Sequence, residues 1–353
     1  MMDEPARPVA VAVIGSGAAA ERWTRALRGV EGVAATAGTS ASEDDLLAAC
    51  SDPAVDAVAF ASPVADLPGA VRRALIAGRH VFVAMPVALS SGQFGALGDT
   101  ARRRDRVLLF DSPLLGDDRF AFGRKMTAGP NALWRSRYVR SLRTGACERH
   151  SLDELAIGDI AVILSLIEST GARVSAVAPQ VDDESGGGQA AMLTLAFERG
   201  PVARVDVSLI EPVLRYEVVI ACDGRTVVID PLDARAPLQV QAAGRHAGPR
   251  DAQWAETVIE HPVDGGRERS AVAAPAFVTG VRSRDREAGN ALELAMASRV
   301  WEAARESMAS GGEMVDVADV DASGRPALRA IEGGGNTTDA AAPPTLKVLR
   351  GRR

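Results

Sequence analysis

Apolar positions in the first hundred residues fall in short unbroken runs rather than in alternation. Residues 9–14 (VAVAVI) are apolar on both faces, the pattern of a central parallel strand buried from two sides, and Gly15 ends the run before helical spacing sets in from Ala19 to Leu27. A second run, Val33 to Ala37, leads into SASEDDLLAACSD, where a serine at the N-cap and acidic residues in the first turn predict a helix. The third, Asp56 to Ala61, stops at Ser62-Pro63. LPGAVRRALIAG then predicts a helix, HVFVA a strand ending before Met85-Pro86, SSGQFGALGDTARRR a helix and RVLLF a fifth strand. Five strands alternating with helices predict a doubly wound parallel sheet.

After Asp111 the pattern changes to one helix, then a long apolar helix from about Leu152 to Glu168 with Ile160, Ile163, Leu164 and Ile167 on one stripe. VSAVAP, AAMLTLAFERG, PVARVDVSLIE, YEVVIACDG and TVVIDP follow, each strand-like and separated by Gly, Pro or Asp turns, which predicts an open, largely antiparallel sheet. A last helix, about Gly289 to Ser310, carries Leu292, Ala295, Met296, Arg299 and Val300 and is expected to pack near the domain junction. Beyond Val317 the run GGGNTTDAAAPP and the basic end LKVLRGRR read as a flexible tail.

Composition narrows the function classes. At 353 residues the chain is long enough for two cores. A net charge of -6 argues against a surface that holds nucleic acid. No apolar stretch approaches the ~20 residues that span a bilayer, so no membrane partner is expected. Two lysines, Lys125 and Lys347, leave a catalytic lysine almost nowhere to stand. Cys50, Cys147 and Cys222 lie far apart in no ligand spacing, and the start MMDEPARPVAVAVIG has no basic flank and cleavage site, which together read as a reduced, cytoplasmic protein. His80, His246 and His261 form no metal spacing, so no metal site is expected.

The chemistry begins at Gly15-Ser16-Gly17-Ala18-Ala19-Ala20, between strand and helix. The first two glycines allow a tight turn and close approach of a pyrophosphate to helix N–H groups, and Ala20 fills the third glycine position. The expected fold is therefore α/β: an N-terminal Rossmann-type parallel-sheet domain over 1–111, a C-terminal α+β domain with an open, mostly antiparallel sheet over 112–317, and the tail over 318–353. At the end of the second strand no carboxylate stands to take ribose hydroxyls, and no arginine for a 2′-phosphate; Thr39 and Ser40 could hydrogen-bond there or simply be turn residues.

The run DAVAFASPVADLPGAVRRALIAGRHVFVAMPVALSSGQFGAL, with VARVDVSLIEPVLRYEVVIACDGRTVVIDP and EAGNALELAMASRVWEAARESMASGGEMVDV downstream, resembles the glucose-fructose oxidoreductase, inositol dehydrogenase and rhizopine-catabolism family (Gfo/Idh/MocA) over roughly residues 9 to 317. The resemblance implies NAD or NADP as cofactor, a sugar, cyclitol or related small molecule as substrate, and a homo-oligomer, dimer or tetramer, built through the C-terminal sheet. It implies a cofactor site at Gly15, Ser16, Gly17, Ala18, Ala20, Thr39, Ser62, Pro63 and Met85.

Departures fall where the family's chemistry lies. Its Glu-Lys-Pro is here Ala84-Met85-Pro86, and a thioether carries no titratable proton. Its aspartate and histidine near the start of the long helix align with Glu154 and Gly158, another histidine position is Leu67, and the segment between the second and third strands is shorter by about a helix and a strand. Replacement groups are sought in Asp111, after the fifth strand, in His150, before the long helix, and in Asp159, which interrupts that helix's apolar surroundings and which an arginine partner would equally explain. Asp153 and Glu154 read first as dipole partners of the helix start, and Lys125 as an exposed helix end. Two readings follow: an oxidoreductase acting on a hydroxylated, carbonyl or imine compound through replaced acid/base groups, or a non-catalytic scaffold or partner subunit. A redox-neutral enzyme in the same cleft lies between them.

Overall fold

The computed structural model describes residues 7–37, 42–62, 64–111, 117–127, 136–145, 150–167, 172–179, 189–197, 201–233, 238–243, 256–260, 269–283 and 289–317. Its first sheet is parallel, in the order β2-β1-β3-β4-β5, with β1 Val9–Ile14, β2 Val33–Ala37, β3 Ala57–Phe60, β4 His80–Val83 and β5 Leu108–Phe110. Every residue of β3 is buried, which is why the sequence there is apolar without alternation. Helices α1 (Gly17–Arg28), α2 (Glu43–Ser51), α3 (Leu67–Ile76) and α4 (Ser91–Arg103) connect the strands. The side chains of Ser42, Asp66 and Ser90 accept the N–H groups of Asp45, Gly69 and Gln93 and so fix where α2, α3 and α4 begin. The chain leaves β1 for β2 on one side and returns to β3 on the other, so the sheet's switch point lies beside the glycine turn that follows β1.

The second sheet has nine strands, in the order β13-β12-β11-β10-β6-β9-β8-β7-β14. Its members are β6 Ser136–Thr144, β7 Ala172–Val177, β8 Ala190–Phe197, β9 Val202–Ser208, β10 Arg215–Cys222, β11 Arg225–Ile229, β12 Leu238–Ala243, β13 Glu256–Glu260 and β14 Val315–Val317. Only β6 and β9 run parallel; the other neighbours are antiparallel. Helices α5 (Asp118–Thr127), α6 (Leu152–Leu166) and α8 (Ala291–Ala309) pack on this part of the molecule, and β9 alternates so that Ala203, Val205 and Val207 are buried while Val202 and Arg204 are exposed.

Both sheets share a core. One buried cluster runs from Phe94 and Phe110 beside the first sheet through Ile160 and Trp301 to Val205 and Val218 in the second. Helix α8 packs on α4 as well as on α6 and β7, and polar contacts fix the seam. Ser91 donates to Glu302 through its N–H and its hydroxyl, both at 2.8 Å, Ser298 Oγ donates to the Leu89 carbonyl at 2.7 Å, and Asn290 exchanges two 2.9 Å bonds with the backbone of Phe110. On the other face of the first sheet, helix α7 (Arg269–Ser283) packs against α1, and Phe82 meets Trp23 at 4.5 Å and Phe277 at 5.5 Å between ring centroids.

The sequence pattern placed β1 to β5, α6, α8 and β7 to β11 within a few residues and missed β6, β12, β13, β14 and α7. One expected core position is corrected: Leu292 is 44% exposed, and α8 turns Leu294, Ala297, Ser298 and Trp301 inward with Ala295 and Val300. No helix among the described residues is long and apolar enough to cross a membrane. The tail at 318–353 lies outside them.

Candidate functional site

A cleft of about 1040 Å³ opens over the carboxyl ends of β3, β4 and β5, where ligands bind in doubly wound sheets. It starts at α1, with Ala19, Arg22 and Trp23, passes Ala61 and Ser62, follows the segment from Val83 to Leu89, and reaches Asp111, His150 and Glu154. A second groove of about 430 Å³, between α3 and α4, is lined by Arg72, Asp99 and Arg103 and contains none of the expected site residues.

At the α1 end the backbone dictates the residues. Gly15 has φ +150° and Gly17 φ +68°, and a Cβ on Gly15 would stand 2.8 Å from Ser62 Oγ. That hydroxyl accepts the Ser16 N–H at 3.3 Å, tying the glycine turn to the end of β3. The N-cap Ser16 makes no side-chain cap and the first turn holds no acid, so the helix presents N–H groups and the positive end of its dipole with no internal anion to neutralise them. Ser16, Gly17 and Ala18 are exposed there, while Ala20 is buried between helix and sheet, where the third glycine position demands close packing. Expected site residues Thr39 and Pro63 lie outside the described residues. Arg22 was not singled out in the sequence. Its position three residues after Ala19, on the same helical face, was the available signal.

At the other end, Met85 stands in the wall at the end of β4. Asp111 follows β5, is 5% exposed, and is held in place because its N–H donates to the Val83 carbonyl at 2.8 Å and the preceding residue is clamped by Asn290. His150, just before α6, and Glu154, in its first turn, line the cleft: Nδ1 of the imidazole lies 3.7 Å from the Glu154 carboxylate. Glu154 also closes the helix start, accepting the Ser151 N–H at 2.9 Å while Ser151 Oγ accepts the Glu154 N–H at 3.2 Å. The aligned histidine position, Gly158, has no atom within 4 Å of where a Cβ would point.

The structure brings Asp111 and His150 into one cleft and does not bring Asp159 there. Asp159 is 0% exposed and takes the Arg143 guanidinium through Nε at 2.8 and 3.0 Å and Nη2 at 2.5 Å. Arg143 also lies 3.7 Å from the centroid of the Tyr216 ring, its neighbour on β10. Burial alone would pull the guanidinium's pKa down, but the Asp159 carboxylate and Tyr216 outweigh it and hold the group above its ordinary value. Asp153 is likewise engaged, accepting Trp301 Nε1–H at 3.0 Å and Arg305 at 3.2 Å. Lys125 is exposed at the end of α5. Among the described residues no group of three or more His, Cys, Asp or Glu side chains is placed to hold a metal ion.

No protein-family model matches the chain, and no curated protein matches it. Solved structures do resemble it. An inositol dehydrogenase homologue from Azotobacter vinelandii, complexed with NADH and myo-inositol, superposes with a TM-score of 0.71 at 16% identity, over 88% of this chain and 98% of its own. A levoglucosan dehydrogenase in complex with NADH gives 0.70 at 15%, over 89% and 100%. GenD2 from gentamicin A biosynthesis, in complex with NAD, gives 0.68 at 18%, over 88% and 96%. At these identities what is shared is the fold: a parallel Rossmann-like sheet followed by a mostly antiparallel one.

Proposed function

We propose that this chain is a nicotinamide-dinucleotide oxidoreductase, a divergent relative of the Gfo/Idh/MocA enzymes, in which His150 replaces the family's lysine and histidine as the proton-handling group. The observation that carries the reading is the cleft that runs from Ala19, Arg22 and Trp23 of α1, next to the glycine turn, to Asp111, His150 and Glu154. The residues fit the cofactor. The Gly15–Ala18 turn and the first N–H groups of α1 suit a pyrophosphate, with Ser62 and Arg22 alongside. Solved relatives of the same fold carry NAD or NADH. Bound there, the nicotinamide would supply hydride acceptance or donation. The chain's own residues would orient a small hydroxylated, carbonyl or imine compound and manage its proton, with the His150 imidazole, whose Nδ1 lies 3.7 Å from the Glu154 carboxylate, as the proton-handling group. Val64, Leu67, Met85, Val87 and Leu89 give the cleft an apolar stretch between its two ends. In this reading residues up to 111 serve the cofactor and the unit from 112 to 317 serves the substrate and a homo-oligomeric contact through the partly exposed face of its sheet.

Met85 in the wall favours a second reading, a cleft that has given up redox work and acts as a scaffold or a redox-neutral site. Calorimetric titration with NAD, NADH, NADP and NADPH separates the two. The oxidoreductase reading expects one of them to bind with Kd on the order of micromolar, and in the loaded protein His150→Ala is expected to lower turnover by about 10²–10⁴-fold with dinucleotide affinity unchanged. No heat and no thermal shift with all four would sink it.

A further inference from the structure

The groove of about 430 Å³ between α3 and α4 adjoins the cleft, since Pro68 and Gln93 line both. Arg72 enters it from α3 and Arg103 from α4, while Pro68, Ala96 and Leu97 supply apolar lining. Its acceptors are largely spent within the fold. The carboxylate of Asp99 is divided between Arg102, at 3.1 Å, and Arg103, at 3.8 Å. Gln93 Oε1 accepts the Ser90 N–H at 2.9 Å in the capping box of α4. The Thr100 hydroxyl donates back to the Ala96 carbonyl at 2.8 Å, which leaves its oxygen as a neutral acceptor. Donors are in excess. Arg72 makes no hydrogen bond or ion pair among the described residues, the amide nitrogen of Gln93 donates to none of them, and Arg103 has only a share of one carboxylate.

We infer that this groove is a second binding site, for a small organic anion: a carboxylate or phosphate carried on a compact apolar body. Two guanidiniums against one carboxylate leave the lining positive. The planar fork of an arginine pairs with the oxygens of either group, and its stem and face pack on the ligand's body. The volume falls within the range of small-molecule sites, about 300–1,000 Å³. Solvent reaches the rim, the Arg103 side chain being 80% exposed, so a Kd on the order of millimolar and a strong dependence on salt belong to the inference. It stands whether or not the cleft holds a dinucleotide.

Benzoate, phenyl phosphate and benzyl alcohol, titrated calorimetrically into the full chain at about 0.02 M salt, test it. At least one of the two anions is expected to bind about tenfold more tightly than the alcohol, and the tighter of them identifies the group recognised. Raising the salt to about 0.5 M is expected to weaken the anion and spare the alcohol. Arg72→Ala and Gln93→Glu locate the binding. The second keeps an oxygen to accept the Ser90 N–H, so α4 keeps its capped start, while a negative charge replaces the donor. Each is expected to weaken the anion at least about fivefold with the urea midpoint unchanged. The N–H groups at the start of α1 are the other place for an anion, and undiminished binding by both variants would assign it there and overturn the inference. Neither anion binding more tightly than the alcohol overturns it too. Both outcomes leave the cofactor reading standing, and failure of every dinucleotide to bind leaves this one.

Discussion

Asp159 illustrates what a single residue discloses. A carboxylate inside the apolar run of α6 is an anomaly visible in the sequence, and two explanations compete for it, a ligand or an arginine. Arg143 decides between them, but β6 carries arginine on both faces (Arg143 on one, Arg140 on the other) and so lacks the alternation that would have marked it as a strand facing α6. The pair's energetics follow from burial. Asp159→Leu strands a buried guanidinium and is expected to cost about 3–5 kcal/mol in urea unfolding, whereas Asp159→Leu combined with Arg143→Met is expected to recover most of it. A single variant as stable as the parent would contradict the ion pair. Asp111's place in the cleft was legible for the opposite reason, because the βαβ pattern fixes the carboxyl edge of the first sheet after which it stands, whereas His150 was singled out only through the family resemblance. The double duty of Glu154, capping α6 and facing His150, depends on side-chain positions that spacing does not disclose.

At the scale of elements, the sequence showed those that bury a continuous stripe and hid those whose neighbours are remote. Helix α7 has Pro275 inside it and mixes Gly, Ser and Thr among its apolar residues. Its partners, Trp23 and Phe82, are far away in the chain. The seam between α8 and β5 shows how such remote pieces are registered. Asn290 uses its amide as a short extra strand, giving and receiving one bond with Phe110, and thereby sets the backbone from which Asp111 enters the cleft. Asn290→Ala leaves a buried N–H and carbonyl without partners and is expected to cost about 1–3 kcal/mol, with faster amide exchange at Phe110. Unchanged exchange at that amide would argue against the clamp.

For the molecule as a whole, the continuity of the core from Phe94 through Trp301 to Val218 matters more than the number of sheets. Units that share a core of this kind do not melt apart, because opening the seam exposes apolar surface on both sides at once. Calorimetry of the ligand-free protein is expected to show one transition whose calorimetric and van't Hoff enthalpies agree. Two separated transitions would show that the seam is weaker than its packing. The return of α7 to the first sheet carries a further consequence, for synthesis. Phe82 leaves the ribosome well before Phe277, and at ~5–20 residues per second the back of the parallel sheet stays without its cover for on the order of ten seconds or more. During that interval the nascent chain offers the Trp23 and Phe82 surface to whatever binds exposed aromatic groups, so its yield in the cell depends on chaperone supply in a way that its finished stability would not reveal.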